Sequence, residues 1–252
     1  MYIEFMADVV KETDAIFFDA SLRGDVTEKG DSDYVTRADI AISDYLHKRL
    51  REAYPDIDFL SEEEEADIGK NRDFWILDPI DGTTNFMHEM GLSCVSLGLC
   101  QNGEITAGVI YNPYTKELFS AEKGKGAYKN GERFWCSRHE KLSDCLGFLE
   151  YNAYYKNDKD AALSHAEKIY MACQDIRTIG SAALSLVYVA CGRADVFLGR
   201  YLKPWDYAAA NVIIQEAGGK MTDISGNIPL TEICHIVATN GVMHEEFMKL
   251  IK

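Results

Sequence analysis

The pattern of hydrophobic positions in the first half of the chain predicts helices followed by a sheet. Apolar residues recur at helical spacing over residues 2–22, which predicts one helix, and again over residues 36–54. Strands are predicted for five short apolar or alternating stretches, at residues 59–61, 74–77, 93–100, 104–111 and 117–122. The first half is therefore expected to be α+β, with two helices on one side of a mostly antiparallel sheet.

The second half alternates between strands and helices, as an α/β fold does. Strands are predicted at residues 146–149, 176–179, 195–198, 220–222 and 235–238. Helices are predicted at residues 160–173, 182–191, 203–217 and 243–251. Because no linker or repeat separates the halves, we expect a single domain over residues 1–252, with approximate subdomains at 1–144 and 145–252.

Composition and charge narrow the classes of partner. The 252 residues are 47% hydrophobic and 27% charged, which is ordinary for a soluble globular protein, and the formal net charge of -15 argues against nucleic-acid binding. No apolar run approaches the roughly 20 residues of a membrane span, and the N-terminal residues lack the pattern of a secretion signal. The seven cysteines form no Cys-x-x-Cys pair. These features predict a cytoplasmic protein with reduced cysteines that binds neither nucleic acid nor membrane.

The strongest chemical signal is the stretch Trp75-Ile-Leu-Asp-Pro-Ile-Asp-Gly-Thr-Thr-Asn-Phe86. Its apolar start predicts a buried strand that ends at Asp78, and Asp81 follows three residues later. Gly82 allows a close backbone approach, and Thr83-Thr84 can open a helix with free N–H groups. Two carboxylates beside such donors predict a metal-assisted phosphate site, and bound Mg²⁺ would also reverse the local field of an acidic protein. The structural alternative is an Asp-Pro turn followed by a helix-capping Asp.

Two other acidic motifs do not fit this stretch. An EF-hand requires acids at alternate positions of its loop, which the stretch lacks. The haloacid-dehalogenase-type phosphatases carry the motif Asp-x-Asp-Gly-Thr, in which the first acid is a covalent nucleophile. Because the spacing from Asp78 to Asp81 is one residue longer, the two acids would be aimed differently, and we disfavour that class.

Three further acids are candidates, and each has an ordinary structural interpretation. Thr36-Arg-Ala-Asp39 matches a capping box, in which Asp39 only stabilises its helix. Glu62 follows a predicted strand, as Asp78 does, but it also begins a run of four acids that is typical of a solvated loop. Asp206 follows Pro204-Trp205 in the first turn of a helix, where an acid is commonplace.

Taken together, these motifs resemble the inositol monophosphatase family. The first signature is the stretch above, and the second is Trp205-Asp-Tyr-Ala-Ala-Ala with Glu-Ala-Gly-Gly219 at its end. The resemblance extends over nearly the whole chain, including Glu62-Glu63 and the loop Gly180-Ser-Ala182. It implies a Mg²⁺-dependent, lithium-sensitive phosphomonoesterase that is a homodimer and acts on a small phosphorylated substrate. The implied fold is the layered α/β/α/β/α sandwich of the sugar phosphatases, which include fructose-1,6-bisphosphatase.

The resemblance also implies roles for individual residues. The implied ligands of two or three Mg²⁺ ions are Glu62, Asp78, the carbonyl of Ile80, Asp81 and Asp206. The implied catalytic residues are Asp39 and Thr83, which orient the attacking water, together with Glu62. The implied substrate-binding residues are Asp81, Gly82, Thr83, Thr84, Ala182, Arg200 and Asp206. Weaker assignments to the site are Lys29, Glu63, Ser181, Tyr201 and Lys203.

One position departs from the inositol-selective members of the family. They carry a glutamate seven residues before the position of Asp206, and this chain has Gly199 there, followed by Arg200 and Lys203. The change favours a substrate with a second anionic group, such as fructose 1,6-bisphosphate, unless both cations are merely exposed loop charges. Phosphatases of 3′-phosphoadenosine 5′-phosphate or histidinol phosphate share the same metal site and stay open as alternatives. A regulatory interaction protein on the same fold is the alternative from another class.

Overall fold

The N-terminal segment forms three short helices instead of the one that the periodicity predicts. A computed structural model describes residues 2–23, 26–30, 33–63, 73–151, 157–227 and 232–252. The three helices are α1 (Tyr2–Lys11), α2 (Asp14–Phe17) and α3 (Ala20–Arg23). The Thr13 hydroxyl donates a hydrogen bond to the carbonyl of Val10 at 2.6 Å. This bond satisfies a carbonyl at the end of α1 from a side chain, and the chain can turn there.

A hairpin then leads into the longest helix among the described residues. Strands β1 (Val26–Gly30) and β2 (Asp33–Thr36) pair antiparallel, and α4 (Arg37–Ala53) begins directly after them. Thr36 caps α4 and Asp39 completes the reciprocal bond of a capping box, so that prediction is confirmed.

The larger sheet has seven strands, and their order in space follows their order in sequence. They are β3 (Asp58–Ser61), β4 (Phe74–Asp81), β5 (Cys94–Gln101), β6 (Glu104–Asn112), β7 (Glu117–Glu122), β8 (Ala127–Lys129) and β9 (Glu132–Phe134). Strands β3 and β4 are parallel and every other neighbouring pair is antiparallel. The sheet is therefore mostly antiparallel, as predicted. The short helix α5 (Thr83–Met87) follows β4.

The second half supplies a five-stranded sheet with the order β11-β10-β12-β14-β13. Its strands are β10 (Leu146–Tyr151), β11 (Asp175–Arg177), β12 (Val196–Leu202), β13 (Lys220–Asp223) and β14 (Cys234–Thr239). Its helices are α6 (Lys159–Ala172), α7 (Ala182–Ala190), α8 (Pro204–Glu216) and α9 (His244–Ile251). Strand β10 runs parallel to both of its neighbours, which the helical crossovers of this half permit.

Successive side chains of each strand point to opposite faces of its sheet, and they pack into three separate hydrophobic cores. The helices and sheets therefore form layers. In β4, Trp75 and Leu77 pack with α1 and α4, while Phe74 and Ile76 face the core that contains α7 and α8. In β12, Phe197 faces that same middle core, while Val196 and Leu198 pack with α6 and α9. The order is therefore helices, seven-stranded sheet, helices, five-stranded sheet, helices, which confirms the predicted layered sandwich.

Helix α8 lies unusually close to the larger sheet. A Cβ atom added to Gly108 of β6 would lie 2.4 Å from the carbonyl oxygen of Ala209. Only glycine, which has no Cβ, avoids this steric clash. The small residues Ala208–Ala210 make this approach feasible, as their sequence indicates. The contact fixes α8 against the sheet, and the first turn of α8 carries Asp206.

Among the described residues, no helix combines the length and the apolar character that crossing a membrane requires.

Candidate active site

Three aspartates from distant parts of the chain meet between the two halves. Asp78 and Asp81 lie on β4, and Asp206 lies in the first turn of α8. One carboxylate oxygen from each lies within 4.8 Å of those from the other two. Like charges at this spacing repel one another strongly in a buried site, so the cluster requires protons or a cation to balance it.

The electrostatics of the cluster fit a divalent cation. Burial, together with the charges of Glu62, Asp81 and Asp206, raises the pKa of Asp78 well above its ordinary value. Burial and the charge of Asp81 raise the pKa of Asp206 to about 7. Asp78 Oδ1 is buried and has no hydrogen-bond partner among the described residues. An orphaned carboxylate oxygen beside two others is what a hard, oxygen-binding metal ion would satisfy.

The end of β4 differs from the sequence prediction. The strand does not stop before Asp78 but continues to Asp81, and its pairing with β5 is irregular between these two residues. The irregularity lets two acids three residues apart face the same site, which a regular strand would not allow. Gly82 then turns the chain with a φ of 87°, and a side chain there would lie 3.0 Å from the carbonyl oxygen of Leu92.

Asp81 is held by donors from the second half of the chain. Its carboxylate accepts hydrogen bonds from the Ser181 hydroxyl, from the Ala183 N–H at 2.9 Å and from the Ala182 N–H at 3.3 Å. These donors form the N-terminus of α7, where a negative charge is favourable. Burial raises the pKa of Asp81, and the bonds from Ser181 and the two N–H groups oppose that shift.

Asp39 joins its helix cap to the site. It bonds both the N–H and the hydroxyl of Thr36, and its Oδ1 lies 3.4 Å from the Thr83 hydroxyl. The same hydroxyl lies 3.1 Å from the carbonyl oxygen of Ile80. Burial raises the pKa of Asp39 to about 6. The capping role and a role at the site are therefore compatible in one residue.

An open cavity surrounds these groups, and most of the predicted site residues line it. Those on its wall are Glu62, Asp78, Ile80, Asp81, Gly82, Thr83, Thr84, Ala182, Lys203 and Asp206. Of the other predicted residues, Ser181 is buried behind the wall and bonds Asp81, while Glu63 lies off the wall. Lys29 belongs to β1, and its side chain lies outside the described residues.

Arg200 is not where the sequence prediction needs it. It lies in β12, is only 6% exposed and is absent from the cavity wall. Its guanidinium forms an ion pair with Asp158 and donates a hydrogen bond to His165 Nδ1 at 2.8 Å. The Tyr201 hydroxyl donates to the same Asp158 carboxylate at 2.8 Å. Burial of Arg200 within β12 therefore supports neither the prediction that it binds substrate nor the alternative that it is an exposed loop charge.

The cavity wall also contains residues that were not among the predicted site residues. They are Tyr34, Glu150, Tyr151, Gly180, Leu202 and Trp205. Glu150 is buried at the end of β10 and accepts hydrogen bonds from Ile179, Gly180 and Ser185. Burial raises its pKa to about 7. An acid near the end of a predicted strand was the available signal, the same one that indicated Glu62 and Asp78.

Comparison with known proteins gives consistent matches over nearly the whole chain. The model of the inositol monophosphatase family matches residues 5–252. An inositol-1-monophosphatase of Mesorhizobium japonicum is 38% identical over 228 residues, which are 90% of this chain and 86% of that protein. A fructose-1,6-bisphosphatase/inositol-1-monophosphatase of Thermotoga maritima is 36% identical over 231 residues, covering 91% and 87%. The crystal structure of the extragenic suppressor protein suhB from Bartonella henselae superposes with a TM-score of 0.94 at 34% identity, covering 100% and 98%.

Proposed function

The chain belongs to the inositol monophosphatase family, and we propose that it is a Mg²⁺-dependent phosphomonoesterase acting on a small sugar or polyol phosphate. One observation carries the proposal: Asp78, Asp81 and Asp206 converge within 4.8 Å, and Asp78 Oδ1 has no partner in the described part of the chain. Residues 1–252 would form one catalytic domain, because the first half supplies Asp78 and Asp81 and the second supplies Asp206.

The proposed ligands are Glu62, Asp78, Asp81, Asp206 and the carbonyl of Ile80, all of which lie on the cavity wall. Bound Mg²⁺ would lower the pKa of a nearby water and neutralise charge on the phosphoryl and leaving oxygens. The carboxylates give the site the oxygen-rich, anionic character that Mg²⁺ prefers.

Asp39 and Thr83 are proposed to orient the attacking water. If the Thr83 hydroxyl donates its proton towards Asp39, its oxygen has lone pairs left to accept a hydrogen bond from that water. Asp39, with a pKa of about 6, can take up the proton that the water loses. The bond from the water oxygen to phosphorus forms as the bond to the alcohol oxygen breaks. The alcohol oxygen takes a proton from solvent water, and Asp39 returns its proton to solvent. Inorganic phosphate leaves without a covalent bond to the protein.

A second anionic group on the substrate is favoured by one observation. Lys203 alone among the described residues on the cavity wall carries a positive side chain, and its Nζ lies 5.2 Å from the ring centroid of Trp205. At Gly199 an added Cβ would lie 2.5 Å from Leu202 Cδ1 and 2.7 Å from the Phe197 ring, so an acid there would require both side chains to move. We therefore propose Lys203, in place of Arg200, as the group that would meet a second phosphate, as in fructose 1,6-bisphosphate.

A phosphate-release screen tests the proposal. Purified protein is assayed with inositol 1-phosphate, fructose 1,6-bisphosphate, histidinol phosphate and 3′-phosphoadenosine 5′-phosphate, each with Mg²⁺ and with EDTA. We expect Mg²⁺-dependent release from at least one sugar or polyol phosphate. Binding of Mg²⁺ without hydrolysis of any ester would instead support a regulatory interaction protein on this fold.

We also propose that the protein is cytoplasmic and forms a homodimer. All seven cysteines are free, which supports the expectation of a reducing, cytoplasmic environment. The expected homodimer rests on the family resemblance, and light scattering on the purified protein would test it.

A further inference from the structure

Glu150 is a buried acid that the proposed reaction does not use. Its carboxylate accepts hydrogen bonds from the N–H groups of Ile179 at 3.0 Å and Gly180 at 3.1 Å, and from the Ser185 hydroxyl at 2.6 Å. The residue is 5% exposed. A carboxylate that accepts bonds from two consecutive backbone N–H groups fixes the position of that backbone segment.

The segment that Glu150 holds leads directly into the donors of Asp81. On its other side, the Ile179 carbonyl accepts a hydrogen bond from Asn85 Nδ2 at 2.6 Å, so the segment is fixed from two directions. The next three residues supply the Ser181 hydroxyl and the N–H groups of Ala182 and Ala183 to the Asp81 carboxylate. Only the short backbone of residues 179–183 separates Glu150 from the proposed metal ligand.

We propose that Glu150 is a positioning residue that sets the orientation of the Asp81 carboxylate through residues 179–183. The inference rests on the proposed function for the part that concerns Mg²⁺. The Asp81 carboxylate accepts hydrogen bonds from the α7 donors and also faces the acidic cluster. A shift of the α7 N-terminus would therefore change the orientation of its oxygens towards the cluster. Partners of this kind behind a metal ligand typically change metal affinity by about 10–100-fold when removed.

Glu150→Gln is the direct test because it keeps the size of the side chain. The amide replaces one acceptor oxygen with an N–H₂ group, which cannot accept from a backbone N–H. Ser185→Ala is the matched control: it removes the third hydrogen bond of the same carboxylate and leaves the bonds from Ile179 and Gly180 intact.

The first measurement needs no metal. Amide hydrogen exchange of Ala182 and Ala183 is followed by NMR in EDTA at pH 8, with the amides of β5 and β6 as internal reference. We expect Glu150→Gln to accelerate exchange at both alanines by at least about tenfold, with little change in the reference strands. Wild-type exchange at these alanines in Glu150→Gln, or equal acceleration in Ser185→Ala, would overturn the proposal.

The second measurement is the Mg²⁺ dissociation constant by calorimetry without substrate. We expect about tenfold weaker binding in Glu150→Gln and a near wild-type constant in Ser185→Ala. An unchanged constant in Glu150→Gln would contradict the proposal even if thermal stability falls, since a purely structural residue would lower stability alone.

The role of Glu150 can still be tested if the variant does not fold or if the protein binds no Mg²⁺. If Glu150→Gln does not fold, Glu150→Asp retains the charge but is one methylene shorter, and we expect the same directions with smaller changes. If the wild-type protein binds no Mg²⁺, the proposed function fails at its metal site, while the exchange measurement still decides the role of Glu150.

Discussion

The hydroxyl of Ser181 donates a hydrogen bond to the carboxylate of Asp81, a residue 100 positions earlier in the chain. The bond joins the N-terminus of α7 in the second half to the end of β4 in the first. Asp81 is therefore both part of the acidic cluster and part of the contact between the halves. Any ion that binds the cluster would also strengthen that contact, so metal affinity and folding stability should be linked.

Asp78→Asn should stabilise the metal-free protein. Asp78 is 2% exposed, and its raised pKa means that its charged form is unfavourable in the folded state at neutral pH. Removing that charge should raise the free energy of unfolding in EDTA by about 1–3 kcal/mol. Thermal unfolding in EDTA and in Mg²⁺ measures this, with exposed Asp44→Asn as control. A metal-free variant less stable than wild type would contradict the account, as would undiminished stabilisation of the variant by Mg²⁺.

The stabilisation by Mg²⁺ should increase with pH. A carboxyl group must lose its proton before it can bind the ion, and the pKa of Asp206 is raised to about 7. In the metal-free protein the folded state binds more protons than the unfolded state between the ordinary Asp value and about pH 7. The stability of the metal-free protein therefore falls as the pH rises through that window. Over the same window, protons compete less with Mg²⁺ for the carboxylates, so the ion binds more tightly. The Mg²⁺-induced rise in melting temperature, measured from pH 5.5 to 8, should grow, and a constant rise would refute this linkage.

Replacing Lys203 and replacing Arg200 should affect substrate preference and stability differently. Lys203→Met keeps the apolar stem beside Trp205 and removes the charge, so kcat/KM for fructose 1,6-bisphosphate should fall about fivefold to tenfold more than for inositol 1-phosphate. Arg200→Ala should leave that ratio unchanged and lower the free energy of unfolding by about 1–3 kcal/mol, because it removes the ion pair with Asp158 and the hydrogen bond to His165. If the ratio of the two kcat/KM values changes in Arg200→Ala and not in Lys203→Met, the sequence-based prediction that Arg200 binds substrate would be restored.

A comparison of the acidic residues of the site with Arg200 shows what local sequence can predict. The acids at 39, 78, 81 and 206 lie in short motifs whose turn and cap residues indicate their setting. Arg200 lies beyond the predicted end of its strand, but pairing with Tyr151 on β10 extends β12 through it to Leu202. That pairing depends on residues about 50 positions away, so local pattern could not reveal that Arg200 is buried.

Glu150 illustrates the same limit. Its hydrogen bonds from the N–H groups of Ile179 and Gly180 depend on how the segment before α7 packs against β10, which neighbouring residues in the sequence do not indicate. The N-terminal helices show a different limit. Apolar periodicity over residues 2–22 is continuous, but a hydrogen bond from the Thr13 hydroxyl helps to end the first helix. Periodicity identifies which residues are buried better than it identifies where a helix stops.

The close approach of α8 to the sheet predicts a sharp difference between two paired glycines. Gly98 and Gly108 face each other across β5 and β6. A Cβ at 108 would lie 2.4 Å from the Ala209 oxygen, whereas one at 98 would lie 3.4 Å from the nearest atom, the Ala209 nitrogen. Gly108→Ala should lower the free energy of unfolding by about 1–3 kcal/mol or more and weaken Mg²⁺ binding through displaced Asp206. Gly98→Ala is the control and should cost far less in denaturant unfolding; equal losses would count against the packing described.

The central claim is that Asp78, Asp81 and Asp206 bind the ion on which phosphate release depends. The most direct test is the rate of phosphate release from inositol 1-phosphate and fructose 1,6-bisphosphate by wild type and Asp206→Asn, across a Mg²⁺ titration. Circular dichroism and thermal unfolding of both proteins serve as the control for folding. We expect Mg²⁺-dependent release by the wild type and a loss of at least about 1,000-fold in the folded variant at every Mg²⁺ concentration. Near wild-type release by folded Asp206→Asn would contradict the claim.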